Sequence, residues 1–546
     1  MKIGYSFATF MRRVLCAMAL FLGCGGGETT NPGEVDSGTA EAEAGCPAGT
    51  NDCAGTCVDL TTDKANCGAC GKACPAALTC TAGSCCPAPT ILCGEKCLDP
   101  REDDQNCGAC GKACTGAEHC AAGTCQRSKI EHVVLIVQEN HTFDNYFGRY
   151  CTAPAGSNPT CTDGPGCCEA APAKEPKGAS PILLDDASNF AKDRNHDQAC
   201  EIQQINGGKM DGFVTGSTGS SACFGPSCSS PDNWAVADKA TVGQYWTYAE
   251  NGALGDRYFQ PIAGGTSAND MYFAVAHWQF TDNDAIPDAI GKGCSDPTGL
   301  CLTGKAVRYS GRKTIVDLIS EAGGTFAAYL DGYAEAKAAS PGCAKAPSYC
   351  PYSSCVLHPV ACHACVYDAS DNPYVYYEQH ADKPYIKDYG DLKLDLVGAK
   401  LPSFSYIKAR SYRNEHPNVS KISDGIAFVK AVIDDVQVSS YAKNTLILLT
   451  WDEGGGFFDH VSPPAAIDTD GAGKPVPYGT RVPMIAIGPF AKKGKVSHVT
   501  MEHSSIVRFL EYNFVGPVGQ LKANDAKVQN LGSLLDPAAT GVRIPD

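Results

Sequence analysis

Glu139-Asn140 and Asp452-Glu453 are two acidic pairs far apart in the chain, each at the end of an apolar run. The first follows Ile130-Glu-His-Val-Val-Leu-Ile-Val137, and the second follows Thr445-Leu-Ile-Leu-Leu-Thr450 and leads into Gly454-Gly455-Gly456 and Asp459-His460. Neither pair has a lysine or arginine beside it. Oxygen-rich groups of this kind take a hard or borderline divalent cation. The three glycines would let backbone approach a ligand closely. Singly, each pair has a plainer use, Glu139-Asn140 as a helix cap and Asp452 to Gly456 as an acidic turn. Together, at two strand ends, they point to a site for one divalent metal ion of unknown identity.

Such pairs meet only if the strands that carry them are neighbours. The two apolar runs read as buried strands, and Val482-Pro-Met-Ile-Ala-Ile487 reads likewise. Helical periodicity runs through Ser423–Ser439 and His503–Asn513. Strands alternating with helices predict an α/β domain over residues 128–546, with a mostly parallel sheet and helices on both faces. Ligands of such sheets sit beyond the carboxyl ends of the strands, where both acidic pairs fall.

The rest of the chain sets the compartment. It has 546 residues and 32 cysteines, with 44 Lys+Arg against 60 Asp+Glu for a net charge of −16. That charge argues against a nucleic-acid partner held through its phosphates. So many cysteines predict an oxidising compartment. Lys2, Arg12 and Arg13 precede the apolar run Val14 to Gly23, which stops at Cys24. Residues 1–24 therefore read as an export signal of lipoprotein type, with Cys24 lipidated, or as the signal of a soluble secreted protein. Residues 25–45 are small, polar and acidic, as in a flexible linker.

Residues 46–85 and 86–125 are tandem repeats, with eight cysteines in each at intervals of 7, 4, 10, 3, 4, 6 and 5. Each unit has few large apolar residues and needs covalent staples to fold. Cys67-Gly-Ala-Cys70 could belong to a zinc site, but export and the lack of histidine other than His119 favour disulfides. The pairing is open. The units read as a rigid spacer or adhesion module. The 14 cysteines between 151 and 365 predict further disulfides that pin loops of the α/β domain.

Ile130–Gly148 (IEHVVLIVQENHTFDNYFG) resembles the opening motif of the bacterial phosphoesterase family. That family holds phospholipases C and a respiratory-burst-inhibiting acid phosphatase, within the alkaline phosphatase superfamily. The similarity continues, in family order, through Asn206–Phe213, Tyr258–Thr266, Leu401–Ser405, Trp451–Pro464, Gly479–Pro483, Ser497-His498 and Glu502–Ser505.

The resemblance implies a metal-dependent ester hydrolase acting on phosphate esters or phospholipids. By it, Glu139, Asn140, Asp452 and Glu453 hold the metal, and Thr266 is a metal-activated nucleophile that becomes phosphorylated. His196, His416 and His460 then lie near the phosphate, and Asn269, His416 and His460 bind substrate. Ser267 is a rival nucleophile, and His498 and His503 are supports or caps. This chain departs from the family in having His141-Thr142 in place of Arg-Ser, and Ala268-Asn269-Asp270 in place of Pro-Asn-Arg. The second departure reverses a charge near the nucleophile turn, which keeps open an adhesion protein whose domain is inactive. A sulfate-ester hydrolase is disfavoured, since the Cys-x-Pro-x-Arg precursor motif is absent from that turn.

Overall fold

The computed structural model describes residues 46–219, 227–294, 304–351 and 363–546. The export segment, Cys24 and the linker lie outside them.

The α/β domain is organised by one sheet of eight strands. In chain order these are β1 (His132–Gln138), β2 (Ala253–Gly255), β3 (Phe326–Leu330), β4 (Ile386–Asp388), β5 (Phe404–Lys408), β6 (Thr445–Trp451), β7 (Met484–Ile487) and β8 (Lys495–Ser497). Their order across the sheet is β4-β3-β5-β1-β6-β7-β2-β8. β1 and β6 are buried along both faces, because Val133 to Val137 and Thr445 to Trp451 leave almost no side chain in water. Both sides of the sheet centre are therefore covered.

β1 pairs in parallel with β5 on one side and β6 on the other. β7 is the exception, antiparallel to both β6 and β2, so the sheet is mixed. The strand expected at 482–487 exists with the opposite sense from its neighbours. Between β6 and β7 the chain holds no helix, only the two short strands Asp468–Thr469 and Pro475–Val476. It turns back on itself without the crossover that a parallel neighbour requires.

Five helices carry or brace residues near the ends of these strands: α1 (Phe143–Phe147), α2 (Gln198–Ile205), α3 (Thr266–Val275), α4 (Ile422–Val438) and α5 (His503–Leu510). α4 buries Ile422, Phe428, Val429, Val432, Ile433 and Val436, the one-sided stripe of a helix lying on a sheet. α3 is buried at all ten positions and packs against α5. It is an interior helix, so its polar residues must find partners inside the protein.

Each N-terminal repeat closes on itself through the same four disulfides. The pairs are Cys46–Cys57, Cys53–Cys70, Cys67–Cys80 and Cys74–Cys85, then Cys86–Cys97, Cys93–Cys110, Cys107–Cys120 and Cys114–Cys125. The second repeat is docked on the α/β domain. The His119 ring stacks on Tyr512 at 3.5 Å, with Nδ1 2.8 Å from Asp104 and Nε2 2.8 Å from the Tyr512 carbonyl. In the first repeat the matching residue is Thr79.

Candidate active site

Trp451 and Gln138 are register partners on β6 and β1, so Asp452 and Glu139 leave the sheet side by side. Asn140 turns there with φ of 61°. Its backbone N–H donates to Asp452 Oδ1 at 3.1 Å, and its amide donates to the Glu453 carboxylate. Asp452 Oδ1 also accepts from Glu453 N at 2.7 Å. The glycine run is needed by the packing. Gly455 has φ of 64°, and a Cβ there would lie 2.4 Å from the Asn140 carbonyl oxygen.

Two predicted histidines join this cluster. His196 Nδ1 lies 2.6 Å from the Arg194 carbonyl and His416 Nδ1 lies 2.7 Å from that of Pro417. A carbonyl only accepts, so each ring carries a hydrogen on Nδ1 and turns its Nε2 inward. His196 Nε2 is 3.7 Å from Glu453, and His416 Nε2 is 4.0 Å from Glu139. The two ring centroids are 6.2 Å apart.

Thr266 opens α3, with Gly265 at the N-cap position. The turn before it is braced from two sides. Gly264 N–H donates to Glu201 Oε2 at 2.6 Å, and Asn269 Nδ2 donates to the carbonyls of Gly264 and Gly265 at 2.8 and 3.1 Å. Asn269 Oδ1 accepts from Ile262 N at 3.2 Å, so the side chain predicted to bind substrate is committed to backbone. Asp270 stands four residues after Thr266, on the same helix face.

That face meets a residue that sequence reasoning missed. Lys408, the last residue of β5, is 1 % exposed, and its ammonium lies 3.3 Å from Glu139 Oε1, 3.1 Å from Asp270 Oδ2 and 3.5 Å from Asp452 Oδ2. The acidic pairs have nothing basic beside them in sequence, yet a lysine from the adjacent strand stands between them in space. The available signal was a lone charge closing the apolar strand Phe-Ser-Tyr-Ile-Lys408. Asp371, also missed, lies against Glu139.

Burial dominates the electrostatics of the cluster. Burial pushes the Glu139 carboxyl up to about 8, with Lys408 opposing and Asp452 adding to the rise. Burial likewise raises Asp270, Asp371 and Glu453 well above the usual carboxylate range. Lys408 moves up too: burial works against its charge, but Asp270, Glu139 and Asp452 outweigh it. Four of these carboxyl groups, Asp270, Glu139, Asp452 and Asp371, thus share one ammonium. Asn140 Oδ1 and Asp270 Oδ1 are buried without any hydrogen-bond partner. Hard oxygens, two inward imidazole edges and orphaned acceptors fit a divalent ion held by Glu139, Asn140, Asp452 and Glu453.

The remaining histidines have other partners. His460 has both ring nitrogens occupied, Nδ1 by Asp144 at 2.8 Å and Nε2 by Glu169 at 3.0 Å. Arg481 joins that group, 2.8 Å from Asp459 and 3.1 Å from Asp144. His460 therefore belongs to a buried ion-pair network, with no ring N–H left to offer a phosphate. His498 bridges Asp256 at 2.9 Å and the Cys161 carbonyl at 2.7 Å. His503 supports the site from below, its Nε2 2.6 Å from the Asp452 carbonyl and its Nδ1 2.9 Å from Tyr258. Burial holds that ring neutral, with its pKa lowered to about 3. His141 is buried in the same way, between the Glu139 carbonyl and Asn189.

The model of the phosphoesterase family matches residues 130–516, an interval that contains every residue of this cluster. The chain belongs to the phosphoesterase family. Over 424 residues this phosphoesterase is 25% identical to the non-hemolytic phospholipase C of Pseudomonas aeruginosa, covering 70% of this chain and 54% of that protein. The chain thus spans about half the length of that relative. It is 23% identical over 456 residues to phospholipase C B of Mycobacterium tuberculosis, covering 75% of this chain and 78% of that one. Among solved structures, an alkaline phosphatase superfamily protein from Vibrio parahaemolyticus matches at 10% identity and a TM-score of 0.27, over 65% of this chain and 76% of that one. At that score the structural likeness carries no weight, and the phosphoesterase assignment rests on sequence.

Proposed function

We propose that this protein is an exported, metal-dependent phosphoric ester hydrolase of phospholipase C or acid phosphatase type, with Thr266 as its nucleophile. The observation that carries this reading is the convergence of Glu139, Asn140, Asp452 and Glu453 in one buried cluster at the ends of β1 and β6. A divalent ion held by those four residues and the Thr266 hydroxyl would lower the pKa of that hydroxyl and screen charge on the phosphoryl oxygens.

Thr266 Oγ1 attacks phosphorus in line with the leaving oxygen. An Oγ–P bond forms, the P–O bond to the alcohol breaks, and a phosphothreonine remains. His196 and His416, which turn Nε2 toward Glu453 and Glu139 of the same cluster, are assigned as the bases. A proton taken there from Thr266 is returned to the leaving alkoxide. Water then repeats the displacement, releasing phosphate or a phosphomonoester and restoring the hydroxyl. Thr266 is preferred over Ser267 because its helix face is shared with Asp270, whereas the residue one turn beyond Ser267 is the core residue Met271. The acidic departure at Asp270, which kept an inactive domain open as an alternative, is paired with Lys408 at 3.1 Å. His460 is not given a catalytic role in this scheme.

Thirteen disulfides among the described residues support export. Among the described residues, no helix is long and apolar enough to cross a membrane. Lipid on Cys24, as the sequence reading has it, is the proposed anchor.

The test uses the oxidatively folded full chain, stripped by chelation and resupplied with divalent ions. Initial rates are read on p-nitrophenyl phosphate and p-nitrophenylphosphorylcholine, with Thr266→Ala as control. Metal-restored turnover that is absent from Thr266→Ala is expected, and the preferred ester separates phosphatase from phospholipase. Turnover that survives in Thr266→Ala would remove Thr266 as nucleophile, and turnover indifferent to chelation would remove the metal.

A further inference from the structure

Glu139 and Asp452 each face two ways. Glu139 Oε2 turns toward His416 at 4.0 Å, while Oε1 turns toward the Lys408 ammonium at 3.3 Å. Asp452 Oδ1 accepts from the backbone N–H groups of Asn140 and Glu453, while Oδ2 lies 3.5 Å from the same ammonium. Two carboxylates that each send one oxygen to either side have the disposition of groups bridging a pair of cations. On one side are Asn140, Glu453, His196 and His416, the place of the proposed metal ion. On the other side a third carboxylate, Asp270, closes at 3.1 Å, and what stands among the three oxygens is Lys408.

The three carboxylates come from three separate elements: the end of β1, the interior of α3 and the end of β6. Nothing local makes them converge. Asp270 is wholly buried, with its second oxygen lacking a hydrogen bond, so it is not held there by other polar groups. In dinuclear hydrolase sites the two ions stand about 3.5–4 Å apart and share bridging carboxylates. An ammonium can take one such place, being compact and bearing three donors.

We infer that Lys408 is a built-in second cation: its ammonium fills the place among Glu139, Asp270 and Asp452 that a second divalent ion would otherwise occupy, so that the site takes one metal ion. The inference rests on the metal-dependent reading and specifies its stoichiometry. It also gives the Asp270 departure a reason, since an arginine at that position could not share this space with Lys408, whereas an aspartate binds it.

The test is a titration of Mn²⁺ into the metal-free, oxidatively folded full chain and into Lys408→Met, which keeps the length of the side chain and removes its charge. Binding is read by calorimetry, metal content after gel filtration and electron paramagnetic resonance. The wild type is expected to bind one equivalent and to give the spectrum of an isolated Mn²⁺ ion. Lys408→Met is expected to bind two and to give an exchange-coupled pair, which an ion bound elsewhere on the surface would not produce. Its metal-free form is expected to melt below the wild type and to regain more on adding Mn²⁺. A wild type that binds a coupled pair, or a folded Lys408→Met that still binds one, overturns the inference. If Lys408→Met folds only when refolded with Mn²⁺, its stoichiometry is read on that material; if it folds under neither condition, Lys408→Gln, neutral but still polar, is read in its place against the same one-or-two count. A wild type that binds no metal and shows no chelator-sensitive turnover would fail the metal-dependent reading itself. One equivalent bound with full turnover, alongside one equivalent in the variant, would fail only the role of Lys408.

Discussion

Trp451 on β6 is the register partner of Gln138 on β1, and that single pairing sets Asp452 beside Glu139. A slip of one residue would send every side chain of the strand to the other face. With both strands buried on both faces, such a slip is heavily penalised, so the acidic pair is held by the core beneath it.

Asp452→Asn removes a carboxylate from the proposed metal site and from Lys408 at once. The amide keeps the shape and loses the charge. Metal affinity is expected to fall by at least about 100-fold, with turnover falling in parallel. Lys408 retains Glu139 and Asp270, so the fold should persist. Metal content measured beside circular dichroism checks both; undiminished metal binding would remove Asp452 from the ligand set.

Gly455→Ala tests the close approach of the glycine run to Asn140. Its φ of 64° makes any side chain strained, and the added Cβ would meet the Asn140 carbonyl at 2.4 Å. Gly473 is the control, with φ of 78° and nothing within 4 Å of a Cβ. Gly473→Ala should cost only the left-handed strain, about 1–2 kcal/mol. Gly455→Ala should cost about 2 kcal/mol more and lower metal affinity, because Asn140 must move. Chemical denaturation of both variants reads the difference, and equal losses would sink the argument.

His460 gives a pH dependence of defined sign. Burial alone would lower its pKa, but Asp144 and Glu169 outweigh burial and raise it from 6.5 to about 9. A raised pKa means that the folded state holds the proton more tightly than the unfolded chain does. The stabilisation, about 3 kcal/mol, is full below pH 6.5 and is lost as pH rises through 9. The gap in melting temperature between wild type and His460→Gln should therefore narrow between pH 7 and pH 9.5. A gap that widens with pH would overturn the assignment of a protonated ring.

His119→Ala should loosen the second repeat without touching the chemistry. The ring's stacking on Tyr512 and its hydrogen bond to the Tyr512 carbonyl are both lost. Arg127, exposed between the repeat and β1, should be cut faster by trypsin as the dock opens. Turnover on p-nitrophenyl phosphate should stay within about twofold of wild type, since the site is built from other elements. Unchanged cleavage would mean that the remaining contacts, such as Arg543 with Glu102 at 3.1 Å, hold the repeat by themselves.

Much of this architecture was legible residue by residue. The apolar runs ending at Val137 and Thr450 are strands because their pattern is local, and α4 is a helix because its apolar positions recur every three or four residues. The acidic pairs were legible as strand ends for the same reason. The disulfides of the repeats were legible in number but not in pairing, because eight cysteines allow about 105 connectivities. The opposite sense of β7 was invisible, since a buried strand reads the same in either direction.

By itself the sequence determined the elements, the tandem units, the family and the two acidic pairs, all of which are written in short-range pattern and motif. Only the tertiary structure decided what those charges face. Lys408 and Asp270 are 138 residues apart in the chain and 3.1 Å apart in the protein. His460 adjoins the glycine run in sequence, yet it is spent on Asp144 and Glu169. A side chain's charge is local, but its partner is chosen by the packing of the whole sheet, and in a buried site the partner decides the chemistry.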